Sequence, residues 1–584
     1  MNKLLFIILA SLLINSCAII RYQDFGITPG KPGRYPQFTS KDYMSGQLDE
    51  DRAGYDVTFY DMNLDLDPGK HILRGEVAIH FNAIDKLKKI RIDLYKNFDI
   101  SSMKISGKET PFVRDDRAVI VSLPDSLVIG SNYTLVVAYE GKPDKAKNPP
   151  WSGGIKWGKD KDGNPWIGLA CETEGGSIWF PCKDHLSDEP DSVRLRMTVP
   201  EGLQVVSNGI MENHTSKPGM EVYTWSTHYP INIYNITFYA GKFEHFNDTM
   251  ATGQGILNLD YYVLPENLEK AKEHFRQVKD IFKVYSSSFG PYPWIKEGFK
   301  LVEGPFGGME HQTAIAYGSG YTNLHRLGGD YIIIHEASHE WWGNAVSVSD
   351  FCDIWLQEGF ATYSEMIFTE HKKGYDNSLL YASNRLAGMI NNKLPVVGPP
   401  GVSYWNNKDN DIYNKGAMVL HTIRNILNDS TLFFDILQTF YREHAASSHV
   451  TTADFIEVVE RKTGEDWDKF FEVYLYSREV PVLHWYFVSS NNDQNPGSTI
   501  VKNVPFVAAK WINVPEGFSM PVSMDSKDGD ISITIEVSTK PTRFYLKEMT
   551  SGKQLTCNKR FSYFNAVTDI SVLKEVERIE SVNQ

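Results

Sequence analysis

The residues best suited to chemistry lie in one short segment, which reads His-Glu-Ala-Ser-His from His335 to His339. On a helix, two histidines four residues apart point from the same face, at the spacing that a zinc ion requires. Glu336 can act as a general base on a metal-bound water without being a ligand. The alternative is a solvated surface helix, which predicts a polar run before the motif. Residues 332–334 are three isoleucines instead, which favours a buried helix.

A third ligand is expected from Glu358, which follows His339 after eighteen intervening residues. It lies in the apolar segment Trp-Leu-Gln-Glu-Gly-Phe-Ala at residues 355–361, where an unpaired carboxylate would be costly. His335, His339 and Glu358 would leave the fourth position of a tetrahedral zinc ion open, as catalytic rather than structural sites do.

With these motifs the sequence resembles the family M1 zinc metallopeptidases of the aminopeptidase N and leukotriene hydrolase type, which carry His-Glu-x-x-His, eighteen residues and then Glu. A second signature of that family, Gly-x-Met-Glu-Asn on a strand edge, has a counterpart in this chain. The matching residues are Gly307, Gly308, Met309, Glu310 and His311, with His311 in place of Asn. The resemblance implies that this segment binds substrate and that Glu310 holds its α-ammonium group.

Two further matches concern single side chains. Tyr413 begins Tyr-Asn-Lys-Gly-Ala, similar to the family's Tyr-x-Lys-Gly-Ala, which implies that its hydroxyl donates to the oxyanion of the tetrahedral intermediate. Glu172 corresponds to a second contact for the substrate amine. Asp353 and Glu365 are candidates to orient the zinc-binding histidines; the alternative for both is an ordinary charge on a surface helix.

The resemblance implies a zinc-dependent aminopeptidase with one Zn²⁺ per chain. In this reading a zinc-activated water, with Glu336 as the general base, releases the N-terminal residue of a peptide that has a free N-terminus. Three alternatives stay open: a thermolysin-like endopeptidase, an epoxide hydrolase with peptidase side activity, and an inactive lipid-anchored peptide-binding protein. The endopeptidase would have no reason to keep Glu310 beside the site.

The elements that must position these residues fall into three stretches. Short β-branched and aromatic runs predict strands over residues 55–243. Helical spacing dominates over residues 265–475, as in a predicted helix at 266–286, and strand-like alternation returns after residue 481. We predict a multidomain α+β protein, and the resemblance implies a saddle-like first domain and a thermolysin-like α/β catalytic domain. The predicted units are an N-terminal β domain at 50–250, the catalytic domain at 251–482 and a small C-terminal β domain at 483–584.

Composition narrows the classes of function. The chain has 584 residues, of which 42% are hydrophobic and 23% are charged, as is typical of a soluble multidomain protein. With 59 Lys and Arg against 73 Asp and Glu, the net charge is −14, which argues against nucleic acid as a partner. Cys171 and Cys182 are close enough in sequence to pair, but spacing alone leaves that open.

The first residues resemble an export signal. An apolar run at residues 4–13 is too short to span a bilayer, and Leu-Ile-Asn-Ser-Cys at residues 13–17 resembles a bacterial lipoprotein box. We expect residues 1–17 to be a lipoprotein signal peptide. The mature chain would be exported and attached by lipid at Cys17 to a bacterial membrane, on its periplasmic or cell-surface face. A plain signal peptide is the alternative, and a monomer is the expected oligomeric state.

Overall fold

The computed structural model describes residues 37–403, 410–445, 449–489, 504–547, 549 and 553–582. Two short helices, Ser40–Gly46 and Glu50–Ala53, lead into the first domain, where the buried Arg52 pairs with Asp93 at 2.5 Å. Within these described ranges no helix is long and apolar enough to cross a membrane. The predicted signal peptide and Cys17 lie outside the described residues.

An eight-stranded sheet forms the base of the first domain. Its strands alternate buried and more exposed residues: in Tyr55–Asp67, Met62 and Leu64 are buried while Asn63 is exposed, the period of a half-buried strand. This strand pairs parallel with Ser192–Pro200. In spatial order the strands are Ile210–Lys217, Met220–Thr227, Ser192–Pro200, Tyr55–Asp67, Ile72–Ala83, Asn132–Gly141, Phe98–Ile105 and Lys108–Glu109.

Two smaller sheets complete the first domain and confirm the predicted all-β character of this region. The strand Pro165–Ala170 ends directly before Cys171 and Glu172, so it positions the expected amine contact. The four-stranded sheet contains Gln204–Ser207, Phe238–Gly241, Pro165–Ala170 and Gly154–Lys159, and the three-stranded sheet contains Lys89–Asp93, Ala118–Ser122 and Phe112–Asp115.

A five-stranded sheet supports the catalytic region. The short strand Gly308–Met309 lies at its edge, antiparallel to Ala314–Tyr317, which confirms the strand edge expected for this segment. The predicted domain boundary at residue 250 falls inside the first strand of this sheet. In spatial order the strands are Glu244–Thr252, Gly255–Val263, Phe299–Glu303, Ala314–Tyr317 and Gly308–Met309.

Helices make up most of the rest of this region, as the sequence predicts. The single helix predicted at 266–286 is instead divided, because a tighter 3₁₀ turn at Phe275–Gln277 interrupts it and places Phe275 against the rings of Tyr261 and Tyr317. The α-helices are Leu268–His274, Val278–Ser288, Tyr331–Ser338, Trp355–Lys373, Tyr375–Tyr381, Asp411–Leu427, Ser430–His444, Thr452–Thr463 and Asp468–Tyr474.

The C-terminal region contains two sheets and a helix that the sequence analysis did not predict. The helix, Ile570–Val582, buries Val572 and Val576 against Ala508. Because only these two residues, one turn apart, are fully buried, the apolar periodicity that would predict the helix from sequence is weak. The first sheet contains Thr542–Tyr545, Phe506–Ile512, Val482–Val488 and Asn565–Thr568, and the second contains Ser532–Ser538, Ser519–Ser526 and Leu555–Cys557. A further pair, Ser347–Val348 with His449–Val450, lies in the helical region.

The two helices that carry Glu358 and Tyr413 touch backbone to backbone. These are the ligand helix, Trp355–Lys373, and the tyrosine helix, Asp411–Leu427. A Cβ built on Gly359 would lie 3.0 Å from the Cα of Gly416, and the reverse distance is the same. A glycine on each side therefore permits the approach that brings the two functional side chains into one site.

We expect Gly359→Ala to lower the free energy of unfolding by about 1–3 kcal/mol, because the added methyl group forces the two helices apart. Gly388→Ala is the matched control, since a Cβ there meets nothing within 4 Å and should leave stability unchanged or slightly raised. Urea unfolding of both variants measures the difference. Equal stability of the two would contradict the proposed importance of the glycine contact.

Candidate metal centre and active site

The motif helix, Tyr331–Ser338, is buried as the sequence predicts. Asp330 caps its N-terminus by accepting a hydrogen bond from the Ile332 N–H at 2.9 Å. Ile333 and Ile334 are fully buried, which fixes the helix against the core. Because the helix cannot rotate, the imidazoles of His335 and His339 are held on one face.

Three ligand atoms converge at one point. His335 Nε2 lies 3.3 Å from His339 Nε2 and 3.3 Å from Glu358 Oε2, and His339 Nε2 lies 3.5 Å from the same carboxylate oxygen. Zinc bonds of about 2.0–2.1 Å in tetrahedral geometry place neighbouring ligand atoms about 3.3–3.4 Å apart. The triangle therefore has the size that three ligands of one zinc ion require.

The opposite ring nitrogens fix the tautomers. His335 Nδ1 lies 2.8 Å from Glu365 Oε1 and His339 Nδ1 lies 2.8 Å from the Trp342 carbonyl oxygen. A carbonyl oxygen can only accept, so Nδ1 of His339 carries a proton, and in the neutral ring Nε2 then presents a lone pair. The same assignment for His335 directs both lone pairs at the point shared with Glu358, which fits a metal cation.

Glu365 takes the orienting role that the sequence analysis considered for it, whereas the expectation for Asp353 is wrong. Asp353 Oδ1 accepts hydrogen bonds from the backbone and the hydroxyl of Thr452 at 3.1 and 2.5 Å. Its carboxylate is therefore used to fix the start of the helix Thr452–Thr463, and a backbone carbonyl performs the task at His339.

Glu336 projects beside the ligands without joining the triangle. One oxygen of Glu336 lies within 4.8 Å of a ring nitrogen of His339 and of a carboxylate oxygen of Glu310. Burial raises the pKa of Glu336 to about 8, and a cation on the three ligands would lower that pKa again. This is the placement of a proton acceptor rather than a ligand.

The absence of a side chain at Gly308 makes room for the carboxylate of Glu336. A Cβ built on Gly308 would lie only 2.5 Å from Glu336 Oε1 and 2.8 Å from the Ile332 side chain. At Gly307 an added Cβ would meet nothing within 4 Å. The first glycine of the signature therefore faces open space, and the second makes room for the carboxylate.

Tyr413 reaches the same point from the tyrosine helix. Its ring centroid lies 6.2 Å from that of His335, and its hydroxyl donates a hydrogen bond to Glu358. Burial, reinforced by the charge of Glu358, raises the pKa of Tyr413 well above its ordinary value. The phenol therefore keeps its proton and can serve as a donor.

Two further carboxylates lie next to the metal ligands. Glu310 accepts a hydrogen bond at 3.2 Å from the hydroxyl of Tyr234 in the first domain. Glu172 Oε1 is buried and has no hydrogen-bond partner among the described residues. Burial raises the pKa of Glu172 well above its ordinary value, and the charge of Glu310 adds to the shift. A cationic partner would relieve both effects.

Buried amides from both domains hold the backbone of Glu310. Asn344 Nδ2 donates to the Glu310 carbonyl oxygen at 2.9 Å, and Asn235 Nδ2 in turn donates to Asn344 Oδ1 at 2.7 Å. We refer to these two side chains, Asn235 and Asn344, as the amide bridge. It fixes the carboxylate of the catalytic region relative to the first domain.

A cavity of about 560 Å³ gathers most of the predicted site residues. The residues brought together at its wall are Glu172, Gly307, Gly308, Met309, Glu310, His335, Glu336, His339, Glu358 and Tyr413. Its volume is in the range of sites that bind small ligands. The structure thus brings the residues predicted as metal ligands, general base and amine contacts together in one cavity.

His311 is the exception, and its expected contact with substrate is wrong. The side chain is fully buried, does not line the cavity, and places Nδ1 2.7 Å from the hydroxyl of Tyr239. Burial lowers the pKa of His311 to about 3, so the ring is neutral near pH 7.

The structure places two further residues at the site that the sequence analysis did not predict. Tyr381 donates a hydrogen bond to Glu365 Oε2 and so extends the chain of contacts behind His335. Arg385, one turn further on, lines the cavity. Neither residue belongs to a recognisable motif, and only a helical spacing of four between them offered a signal.

Cys171, Cys182 and Cys352 are buried and Cys557 is partly buried, and each of these four is a free thiol. The pairing of Cys171 with Cys182 that the sequence left open is therefore not formed in this structure.

Convergent ligands on a buried His-Glu-x-x-His helix, beside the edge strand of a mixed sheet, are the arrangement of a zinc metallopeptidase. Family models agree with this class: residues 267–474 match the peptidase family M1 domain, and residues 57–234 match the peptidase M1 N-terminal domain. The chain belongs to peptidase family M1.

The curated proteins that the chain resembles include aminopeptidases. The chain is 23% identical over 442 residues to probable aminopeptidase 2 of Sulfurisphaera tokodaii, covering 73% of this chain and 54% of the relative. It is 26% identical over 368 residues to aminopeptidase B of Mus musculus, covering 58% of this chain and 53% of the relative. The chain thus spans about half the length of these two relatives.

Solved structures share the fold. An M1 zinc metallopeptidase variant of Deinococcus radiodurans, bound to a Tyr-Ser-Ala substrate, superposes with a TM-score of 0.62 at 24% identity. The match covers 74% of this chain and 96% of that one. The similarity establishes a common architecture for the first domain and the catalytic region.

We expect Gly308→Ala to lower kcat by at least about 10-fold, because the new methyl group displaces the Glu336 carboxylate while the three ligands stay in place. Zinc content, measured by elemental analysis, should be unchanged. In Gly307→Ala the methyl group enters the cavity instead, so any loss should appear in KM. A Gly308→Ala enzyme with the parent kcat would show that Glu336 does not depend on this glycine.

Proposed function

We propose that the chain is a zinc-dependent aminopeptidase that removes the N-terminal residue from peptides. The observation that carries the proposal is the pair of buried carboxylates, Glu310 and Glu172, in the cavity that also contains His335, His339 and Glu358. The aminopeptidase relatives support it. So does the tripeptide substrate bound to the structural neighbour from Deinococcus.

Amine recognition follows from charge and burial. A peptide's α-ammonium has a pKa of about 7.7–8.0 and is largely charged near neutral pH. Glu310 and Glu172 offer it two carboxylates in a site removed from bulk water, and one Glu172 oxygen still lacks a donor among the described residues. When the ammonium group is held there, only the first peptide bond, next to the N-terminal residue, can lie at the metal ligands.

The remaining chemistry is divided among three groups. A zinc ion held by His335, His339 and Glu358 would supply a Lewis acid that polarises the scissile carbonyl and activates water. Glu336 removes a proton from the attacking water and passes it to the departing amine. Tyr413, protonated and close to Glu358, donates a hydrogen bond to the developing oxyanion.

We expect peptides acetylated at the N-terminus to be inert, because acetylation removes the charge that the two carboxylates bind. Glu310→Gln should lower kcat/KM for a free peptide by at least about 30-fold, since removing one partner of a buried charge pair costs about 2–5 kcal/mol. Steady-state kinetics with a matched free and acetylated peptide measure both effects, and elemental analysis checks that zinc is retained.

Glu174→Gln serves as the control, because Glu174 is close in sequence to Glu172 but does not line the active-site cavity. Its selectivity for free N-termini should equal that of the parent. Efficient cleavage of the acetylated peptide at an internal bond would overturn the proposal in favour of an endopeptidase. A protein without bound metal or peptidase activity would favour the inactive binding protein.

We also propose that the mature chain is attached to a bacterial membrane by lipid at Cys17. The support is the sequence of residues 1–17 alone, an apolar run followed by a lipoprotein-like box. Cys17→Ser should move the enzyme from the membrane fraction to the soluble fraction of the expressing cells, as peptidase assays of both fractions would show. Membrane association that survives this substitution would place the attachment elsewhere.

A further inference from the structure

Charge is unevenly distributed over the wall of the active-site cavity. Arg385 is the only lysine or arginine among the described residues that line it. Five carboxylates share the same wall, and they are Glu172, Glu310, Glu336, Glu358 and Glu365. Away from the three metal ligands, Arg385 is therefore the one lysine or arginine of the described wall that an anion in this cavity could pair with.

The backbone of Arg385 is connected to the metal-ligand residues through the nearby Tyr381 and its hydrogen bond to Glu365. It lies in the π-helical turn Ala382–Leu386, which directly follows Tyr381. The Tyr381 hydroxyl donates to Glu365, and Glu365 contacts His335. Wide turns of this kind are frequent at functional sites because they redirect side chains, and here Tyr381 and Arg385 both face the cavity.

Among the described residues, the guanidinium group has no partner of matching chemistry. Its one polar contact there is with the thioether sulfur of Met389, which is a weak acceptor. No carboxylate of the described chain pairs with it, although the side chain is half-buried. A guanidinium group has five N–H donors in a planar fork that suits a carboxylate bound through both oxygens.

We propose that Arg385 binds the C-terminal carboxylate of short peptides, so that the enzyme prefers peptides whose two ends span the cavity. The inference rests on the proposed aminopeptidase function and adds the substrate class. Glu310 and Glu172 hold the ammonium group, the metal ligands lie beside the first peptide bond, and Arg385 pairs with the other terminus. Amidation or extension of the peptide removes that last contact.

The experiment compares leucyl-glycine peptides of increasing length, each as the free acid and as the C-terminal amide. Leucine 4-nitroanilide, which has no carboxylate, is the reference substrate. For the parent enzyme we expect one short length to be preferred and its amide to have a kcat/KM about 10- to 100-fold lower, as for a charge-assisted hydrogen bond. The loss should lie mainly in KM.

Arg385→Gln should reduce the acid-to-amide ratio to within about twofold and remove the length preference, with nitroanilide hydrolysis by the same variant as the reference rate. Arg385→Lys, which keeps the charge without the fork, should give an intermediate ratio. Arg326→Gln is the matched control: Arg326 is exposed and electrostatically close to Tyr381 but does not line the cavity. Its ratio should equal that of the parent.

Because each ratio is measured within one variant, partial misfolding of Arg385→Gln does not obscure the result. A parent enzyme that cleaves acids and amides equally well, or an Arg385→Gln enzyme that keeps the parent ratio, would overturn the role of Arg385. Either result would leave the aminopeptidase proposal intact as long as the nitroanilide is hydrolysed. Failure of the parent enzyme on every substrate with a free amine would instead overturn the proposed function.

Discussion

Two imidazole nitrogens and a carboxylate oxygen face one another at 3.3–3.5 Å in the buried interior, and the rest of the catalytic region depends on this arrangement. Lone pairs at such distances repel unless a cation lies between them. The fold holds them together through a capped helix, through Glu365 and the Trp342 carbonyl behind the rings, and through the glycine contact that positions the ligand helix. Metal binding and local stability are therefore coupled.

The parts of the site that could be predicted are those that the local sequence encodes. His335 and His339 lie one helical turn apart, so their common face follows from helix geometry alone. Glu358 was predictable because a lone carboxylate in an apolar segment calls for a partner. The β, α and β stretches could likewise be predicted from periodicity, whereas the helix Ile570–Val582 could not, because only Val572 and Val576 show its buried face.

Contacts between residues far apart in the sequence could not be predicted from local sequence patterns. Asp353 and Glu365 were equivalent candidates in sequence, and only packing shows that Thr452 engages the first and His335 the second. His311 was expected in the pocket because it stands where the family signature has Asn, but its ring lies in the interior between the two sheets. It therefore bonds Tyr239 in the neighbouring sheet instead.

The amide bridge has a consequence for how the sequence can diverge. Asn235 and Tyr234 belong to the first domain, yet one fixes the backbone of Glu310 through Asn344 and the other bonds its carboxylate. Substitution at either position would loosen Glu310, the proposed contact for the substrate amine, while leaving the metal ligands untouched. Substitutions in the first domain at these two positions are therefore constrained by Glu310 in the catalytic region, and exchanging the first domain between homologues would disturb Glu310 before it disturbed the three metal ligands.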